Sequence, residues 1–415
     1  MKILLVNKFY YLRGGDGTAL FNMEQLLKDK GHEVAVFSMQ HPENAPSVWA
    51  KYFPKEINFS SSNISGAFST VLRIFHSPEV ARKFKRLIAD FQPDAVHLHN
   101  IHSYLSPLVA QIAYQKGIRV VWTLHDYKLV CPNYICLRNH TVCEACFKNK
   151  FNVIRYKCMK DSMIASMFAF MEACWWHKRK LSRYTGRFIS PSAFLKTKMV
   201  EAGFSPGQIA VLPNFIPRQL TSSTEKEDYY CYAGRLTEEK GVGDLLEAAT
   251  QIPYKLKVIG GGPLLERFRN RYAGHPMIEF YGQTPQDKLF PMIQKARFLV
   301  VPSVWYENNP FSVIEALCMG TPVLGARIGG IPELIEEGKN GFLFRPGDIA
   351  DLTNKINECF RYFTGTKKFQ LISEDAQNKF DAETFYHKLI VNYEQYSNRY
   401  VYHPDVPLSH AMQDV

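Results

Sequence analysis

The sequence predicts two doubly wound α/β domains in tandem. Three observations predict them: two sets of short apolar runs, amphipathic segments between the runs, and a polar interruption between the sets. The first set comprises Ile3–Val6, Val34–Phe37, Ala95–Leu98, Val120–Leu124 and Phe188–Ser190, with helix periodicity over Thr18–Lys30 and Pro78–Asp90. The second comprises Tyr229–Ala233, Leu256–Ile259, Ile278–Tyr281, Phe298–Pro302, Pro322–Ala326 and Gly341–Phe344. Strands this uniformly apolar suit parallel sheets covered on both faces. The chain has 415 residues, more than one ordinary core serves. Pro213, Pro217 and a Ser/Thr/Glu-rich stretch place the boundary near Asn214–Glu227. The expected units are 1–213, 214–381, a closing helix Ala382–Gln395 within 382–398, and a patternless tail over 399–415.

With 46% hydrophobic and 21% charged residues, the composition excludes a disordered chain. Its net charge of +11 is unevenly placed. Residues 1–215 carry 28 Lys and Arg against 14 Asp and Glu, and the remainder 22 against 25, so the first domain holds all the excess. A basic domain implies an anionic partner. No zinc-finger, homeodomain or RRM pattern points to nucleic acid, which leaves an anionic substrate or an anionic membrane surface. Met1–Val6 is too short for a signal peptide and reads as a strand. The longest apolar stretch, Met163–Trp176, contains Glu172 and falls short of the ~20 residues needed to span a bilayer. A cytoplasmic protein with nine reduced cysteines is expected.

The stretch Glu307-Asn-Asn-Pro-Phe-Ser-Val-Ile-Glu315 carries two carboxylates seven residues apart, directly after an apolar strand. Asn309 suits a helix cap, Pro310 the first helical position and Gly320 the end. Glu307 then sits in a loop at the carboxyl end of the sheet, where open α/β folds bind ligands. Glu315 lies about 7.5 Å further along the helix axis than Pro310. Each carboxylate can hold sugar hydroxyls, and free amides at the helix start can face an anion between them. By itself a Glu pair at this spacing more often marks a solvated helix face.

Gly329-Gly-Ile-Pro-Glu-Leu-Ile335 follows the next strand, and Gly234-Arg-Leu-Thr-Glu-Glu-Lys-Gly241 precedes the pair by half a domain. With Glu307–Glu315, these segments make the chain resemble the retaining GT-B glycosyltransferases of the group 4 family (glycosyl transferases group 1). The resemblance implies two Rossmann-like domains facing across a cleft, with the last helix crossing back to the first domain. It further implies donor-diphosphate contact at the glycine loop Arg13-Gly-Gly-Asp-Gly17 through Gly15, and an active-site role for His125 of His125-Asp-Tyr127. Arg235, beside Gly234, and Lys240 flank a glycine-rich turn and suit a diphosphate leaving group. Gly260-Gly-Gly-Pro263 is expected to shape the nucleotide-facing loop. Glu307, Asn308 and Asn309 would meet the transferred sugar and Glu315 the ribose. Many family members have glycine at the position of Asn309, which leaves the donor sugar open.

The implied reaction moves a sugar from a nucleoside diphosphate to a glycan or polyprenyl-linked acceptor in surface polysaccharide or glycoconjugate synthesis, by front-face substitution. No D-x-D occurs in the sequence, so a catalytic metal is not expected. Two other readings share the fold: a nucleotide-sugar 2-epimerase, which turns over donor without acceptor, and a non-catalytic binding subunit, which does not turn it over at all.

Cys131, Cys143, Cys146 and Cys158 are spaced C-x11-C-x2-C-x11-C within an insertion over 131–158, with Cys136 in addition. The set suits structural zinc, and equally a group of buried thiols. Phe168–Trp176 runs into His177-Lys-Arg-Lys180, an aromatic and cationic sequence that suits a membrane interface or the end of a core helix.

Overall fold

The computed structural model describes residues 1–57 and 73–394. The tail over 399–415 and the last residue of the expected closing helix, Gln395, lie outside the described residues. In the first half the strands are β1 (Lys2–Val6), β2 (Glu33–Phe37), β3 (Ala95–Leu98), β4 (Arg119–Thr123), β5 (Leu137–Arg138), β6 (Thr141–Val142), β7 (Arg187–Ser190) and β8 (Ile209–Val211). All but β5 and β6 form one parallel sheet in the order β2-β1-β3-β4-β7-β8. The second half supplies β9 (Tyr229–Ala233), β10 (Lys255–Ile259), β11 (Ile278–Gly282), β12 (Leu299–Val301), β13 (Val323–Ala326) and β14 (Gly341–Phe344). They pair in parallel as β11-β10-β9-β12-β13-β14, the doubly wound order of dinucleotide-binding domains. The protein therefore has the α/β GT-B fold.

Burial explains the strand patterns. Val323–Ala326 is buried throughout, as a strand covered on both faces must be. One cluster fills the second domain, where Tyr230 and Val300 of the sheet join Leu245, Ile314 and Ile356 of the helices. Two clusters fill the first domain, one on each face of its sheet. Local signals set the helix limits. Helix Pro78–Phe91 starts with proline behind Ser77, whose hydroxyl accepts from the Val80 amide at 3.3 Å, and Gln92 closes it with φ 53°.

The last helix, Ala382–Glu394, packs on the first domain. Phe385, Leu389 and Tyr393 are buried there with Ile3, Leu5 and Val121. Phe385 stacks on Phe215 with ring centroids 4.2 Å apart, and Arg119 Nη1 donates to the Tyr393 carbonyl.

Candidate functional site

The switch point of the second sheet lies between β9 and β12, where the chain departs in opposite directions. Gly234, Arg235 and Lys240 follow β9, and Glu307 follows β12, so fold topology brings residues 67 apart in sequence to one crevice. Lys240 Nζ lies 2.6 Å from Glu307 Oε1. The same oxygen accepts from Ser303 Oγ at 2.6 Å and Trp305 Nε1 at 2.9 Å, and Lys240 also lies over the Trp305 ring. Burial disfavours the Glu307 charge, but Lys240 beside it and these three hydrogen bonds hold the carboxyl below its ordinary range. Arg235, next in sequence to Gly234, is exposed.

The glycines are steric requirements of this crevice. Gly329 has φ 62°, and a Cβ there would sit 2.3 Å from the Glu307 carbonyl oxygen. One on Gly330 would meet the Asn308 oxygen at 1.7 Å. The Gly330 amide instead donates to the Glu307 carbonyl at 2.7 Å, which fixes the loop. On the other side Gly260, at φ 136°, packs its backbone directly on Gly234.

Helix Phe311–Cys318 begins behind Pro310. Asn309 does not cap it as the sequence suggested. Its Oδ1 accepts from the Asn214 amide and its carbonyl from Asn214 Nδ2, both at 2.8 Å. The helix-start proline supplies the turn, and Asn309 is free to hold the interdomain segment. Asn308 Nδ2 donates to the His125 carbonyl at 2.8 Å, a second tie from this loop to the first domain. Gly15 lies close enough that a Cβ would stand 3.8 Å from the Phe311 ring. Glu315, on the helix, is partly buried and hydrogen-bonds no side chain among the described residues; burial alone pushes its carboxyl up to about 7.

From the first domain, His125 follows β4 and faces His99, their Nε2 and Nδ1 atoms 2.9 Å apart and their rings stacked. His99 stacks in turn on His97, which is bonded to Thr123 Oγ1 at 2.7 Å and Tyr393 OH at 2.6 Å. Burial lowers the pKa of all three, so they are neutral imidazoles at neutral pH. Across the cleft, Glu333 accepts from the Ala193 and Phe194 amides at 2.8 and 2.6 Å, capping helix Ala193–Glu201 of the other domain. Tyr306 OH donates to Glu144 at 2.7 Å. Sequence reading missed these ties and His97 and His99. Two histidines at i and i+2, one on an apolar strand and one directly after it, were the available signal, since that spacing puts both on one face.

The cysteine set differs from the expected one. Cys131, Cys136 and Cys146 are its buried members. The β5–β6 hairpin lies between Cys136 and Cys143, whose amide donates to the Cys136 carbonyl at 2.8 Å. That turn brings Cys136 into the group, while Cys143 and Cys158 are only partly buried. Among the described residues no three His, Cys, Asp or Glu side chains are arranged to hold a metal ion. The four cysteines of the expected zinc set, Cys131, Cys143, Cys146 and Cys158, do not form such an arrangement among the described residues.

A two-domain GT-B frame with a cationic, glycine-floored crevice defines a class of sugar-transfer proteins, and sequence comparison places the chain within it. Residues 13–220 match the family model described as Glycosyltransferase Family 4, and residues 216–361 match Glycosyl transferases group 1. The chain belongs to glycosyltransferase family 4. It is 29% identical over 373 residues to an uncharacterized 42.6 kDa protein of the cps region of Klebsiella pneumoniae, covering 85% of this chain and 91% of the relative. It is 30% identical over 197 residues to the sulfoquinovosyl transferase SQD2 of Arabidopsis thaliana, covering 43% of this chain and 38% of that one. Among solved structures, sucrose-phosphate synthase of Thermosynechococcus elongatus superposes with a TM-score of 0.69 at 18% identity, over 95% of this chain and 98% of the other. Anabaena HepE in complex with UDP-glucose gives 0.65 at 19%, over 94% and 98%.

Proposed function

We propose that the protein is a retaining glycosyltransferase of the hexosyl-transferring kind, which moves a sugar from a nucleoside diphosphate to a glycan or lipid-linked acceptor in surface polysaccharide synthesis. The observation that carries this reading is the Lys240–Glu307 pair beside Arg235 at the switch point. The cations meet the diphosphate, Gly15 lets the first domain approach it, and Glu315 accepts from the ribose hydroxyls. Glu307, fixed by Ser303 and Trp305, holds the transferred sugar together with the Asn308–Asn309 loop.

In the reaction the bond from the anomeric carbon to the phosphate oxygen breaks and one to the acceptor oxygen forms on the same face. The acceptor proton passes to the departing phosphate, and Arg235 and Lys240 stabilise the charge that develops there. His125 lies beside this centre as a neutral polar group. The names of relatives support the pathway: a lipopolysaccharide 1,6-galactosyltransferase of Escherichia coli is 29% identical over 181 residues. The cationic first domain would work at an anionic membrane surface, on the cytoplasmic side where nucleotide sugars are available.

The test is a thermal-shift screen of nucleotide sugars, followed by turnover of each stabilising donor with glycan and lipid-linked acceptors. One donor that raises the melting temperature and yields a product of unchanged anomeric configuration is expected. An inverted product removes the retaining mechanism. Conversion of donor to a 2-epimer without acceptor, or no donor binding at all, removes the transferase reading.

A further inference from the structure

Helix Met163–Trp175 is built inside out. Its inward side carries Ser166, Ala169 and Glu172, all buried. Its outward side carries Ile164 at 65% exposure, Met167 at 43% and Trp175 at 48%, a spacing of three and eight residues that makes one continuous stripe. Met163 and, from the neighbouring turn, Phe151 extend the apolar surface at 56% and 52% exposure. The Phe151 ring lies edge-on to Phe170 of the helix, so the two elements share one face.

The helix cannot roll to bury this stripe. Glu172 accepts from Ser103 Oγ and the Ser103 amide, both at 2.9 Å, and lies 2.9 Å from Lys128 Nζ. Ser166 Oγ accepts from the Met159 amide at 3.1 Å. Rotation would drag a paired carboxylate into water and leave Lys128 without its counter-charge.

Cations stand at both ends of the stripe. Arg155, Lys157 and Lys160 precede the helix and Arg179 and Arg183 follow it, all exposed, while Lys180 lies 4.3 Å over the Trp175 ring. From Ala145 to Val200 there are twelve Lys and Arg, against the acids Asp161 and Glu172, and Glu172 is turned inward. An apolar stripe ~20 Å long between two cationic ends matches an interface of acyl chain and anionic headgroup. No helix of the described residues is long and apolar enough to cross a membrane, so this one would lie in the surface plane.

We propose that helix Met163–Trp175 seats the protein on an anionic phospholipid bilayer, with Ile164, Met167 and Trp175 below the headgroups and Arg155, Lys157, Lys160, Arg179 and Arg183 among them. This rests on the membrane contact proposed above and names the surface that makes it. The test is sedimentation of the full chain with vesicles of phosphatidylcholine alone or with phosphatidylglycerol. Binding to the mixed vesicles that weakens with salt, and quenching of Trp175 by brominated acyl chains, are expected. The Ile164→Glu/Met167→Glu double variant should lose at least tenfold in partitioning, and Arg179→Gln/Arg183→Gln should lose the preference for anionic lipid. Both should keep the wild-type melting temperature and nucleotide-sugar turnover, which separates this inference from the transferase reading. Binding that survives the double variant would overturn the surface assignment while keeping membrane contact. No vesicle binding, or a solution dimer that the double variant splits, would overturn it in favour of no lipid partner or of a second copy.

Discussion

His99 Nδ1 and His125 Nε2 face each other across 2.9 Å. Burial keeps both rings neutral, so exactly one of the facing nitrogens donates and the other accepts. The choice made by His99 therefore fixes which tautomer His125 turns to the cleft. Replacing His99 by Ala frees that choice and should lower kcat on the order of tenfold, about one hydrogen bond's contribution, with little change in donor KM. His99→Gln keeps a polar partner and should recover part of it. Unchanged kcat in His99→Ala would remove the positioning role.

Arg235→Ala and Lys240→Ala should each reduce kcat by roughly two to three orders of magnitude if both stabilise the leaving diphosphate. Their effects on folding should part. Arg235 is exposed, so its loss should leave the melting temperature unchanged. Lys240→Ala leaves the buried Glu307 charge without its cation and should cost roughly 1–3 kcal/mol, a figure discounted for the partial exposure of Lys240. Paired measurement of turnover and denaturation checks both halves.

Glu315 gives a pH signature. Its carboxyl is raised to about 7 by burial, above the ordinary 4.5. The folded state therefore holds a proton that the unfolded state has released, and its stabilising effect is present below about 4.5 and lost as pH rises to about 7. Nucleotide binding should have the opposite slope, because ribose hydroxyls donate to the ionised form. Affinity for nucleoside diphosphate should rise from pH 6 to 8, with proton release visible by calorimetry in buffers of different ionisation enthalpy. Glu315→Gln should flatten both slopes, weaken nucleotide binding and raise ligand-free stability at pH 8. A pH-independent affinity in the wild type would remove the ribose assignment. Glu307→Gln should leave nucleoside diphosphate binding largely intact and impair sugar transfer.

Glu333 caps a helix of the opposite domain through two backbone amides. Ser192 remains as the N-cap of that helix, so Glu333→Ala should cost about 1 kcal/mol, the net worth of its hydrogen bonds, and should widen the cleft in solution scattering. A scattering profile identical to wild type would leave Glu333 as a cap with no hold on the domains.

The strands were legible because burial on both faces makes them uniformly apolar, and β1, β3, β9 and β13 read directly as such runs. Strand β8, Ile209–Val211, was not, since an edge strand with exposed Val211 lacks that signature. The β5–β6 hairpin escaped for a similar reason, being too short for alternation to show. Around the crevice the glycines and the Glu pair stood out locally, whereas pairing of Lys240 with Glu307 depends on two loops meeting at the switch point. Asn309 shows the limit of local reading. Its sequence position is that of a helix cap, yet its hydrogen bonds go to Asn214 because the domain interface competes for the same side chain.

The closing helix makes the order of synthesis matter. Phe385, Leu389 and Tyr393 belong to the core of the first domain, and Tyr393 also completes the hydrogen bonds of His97. A nascent chain leaving the ribosome can assemble the sheet of its first half early, but the pocket for these three side chains stays open until the second half has emerged. The amino-terminal domain, begun first, is completed only by residues of the closing helix, and the hydrogen bonds of its His97 are complete only with Tyr393 in place.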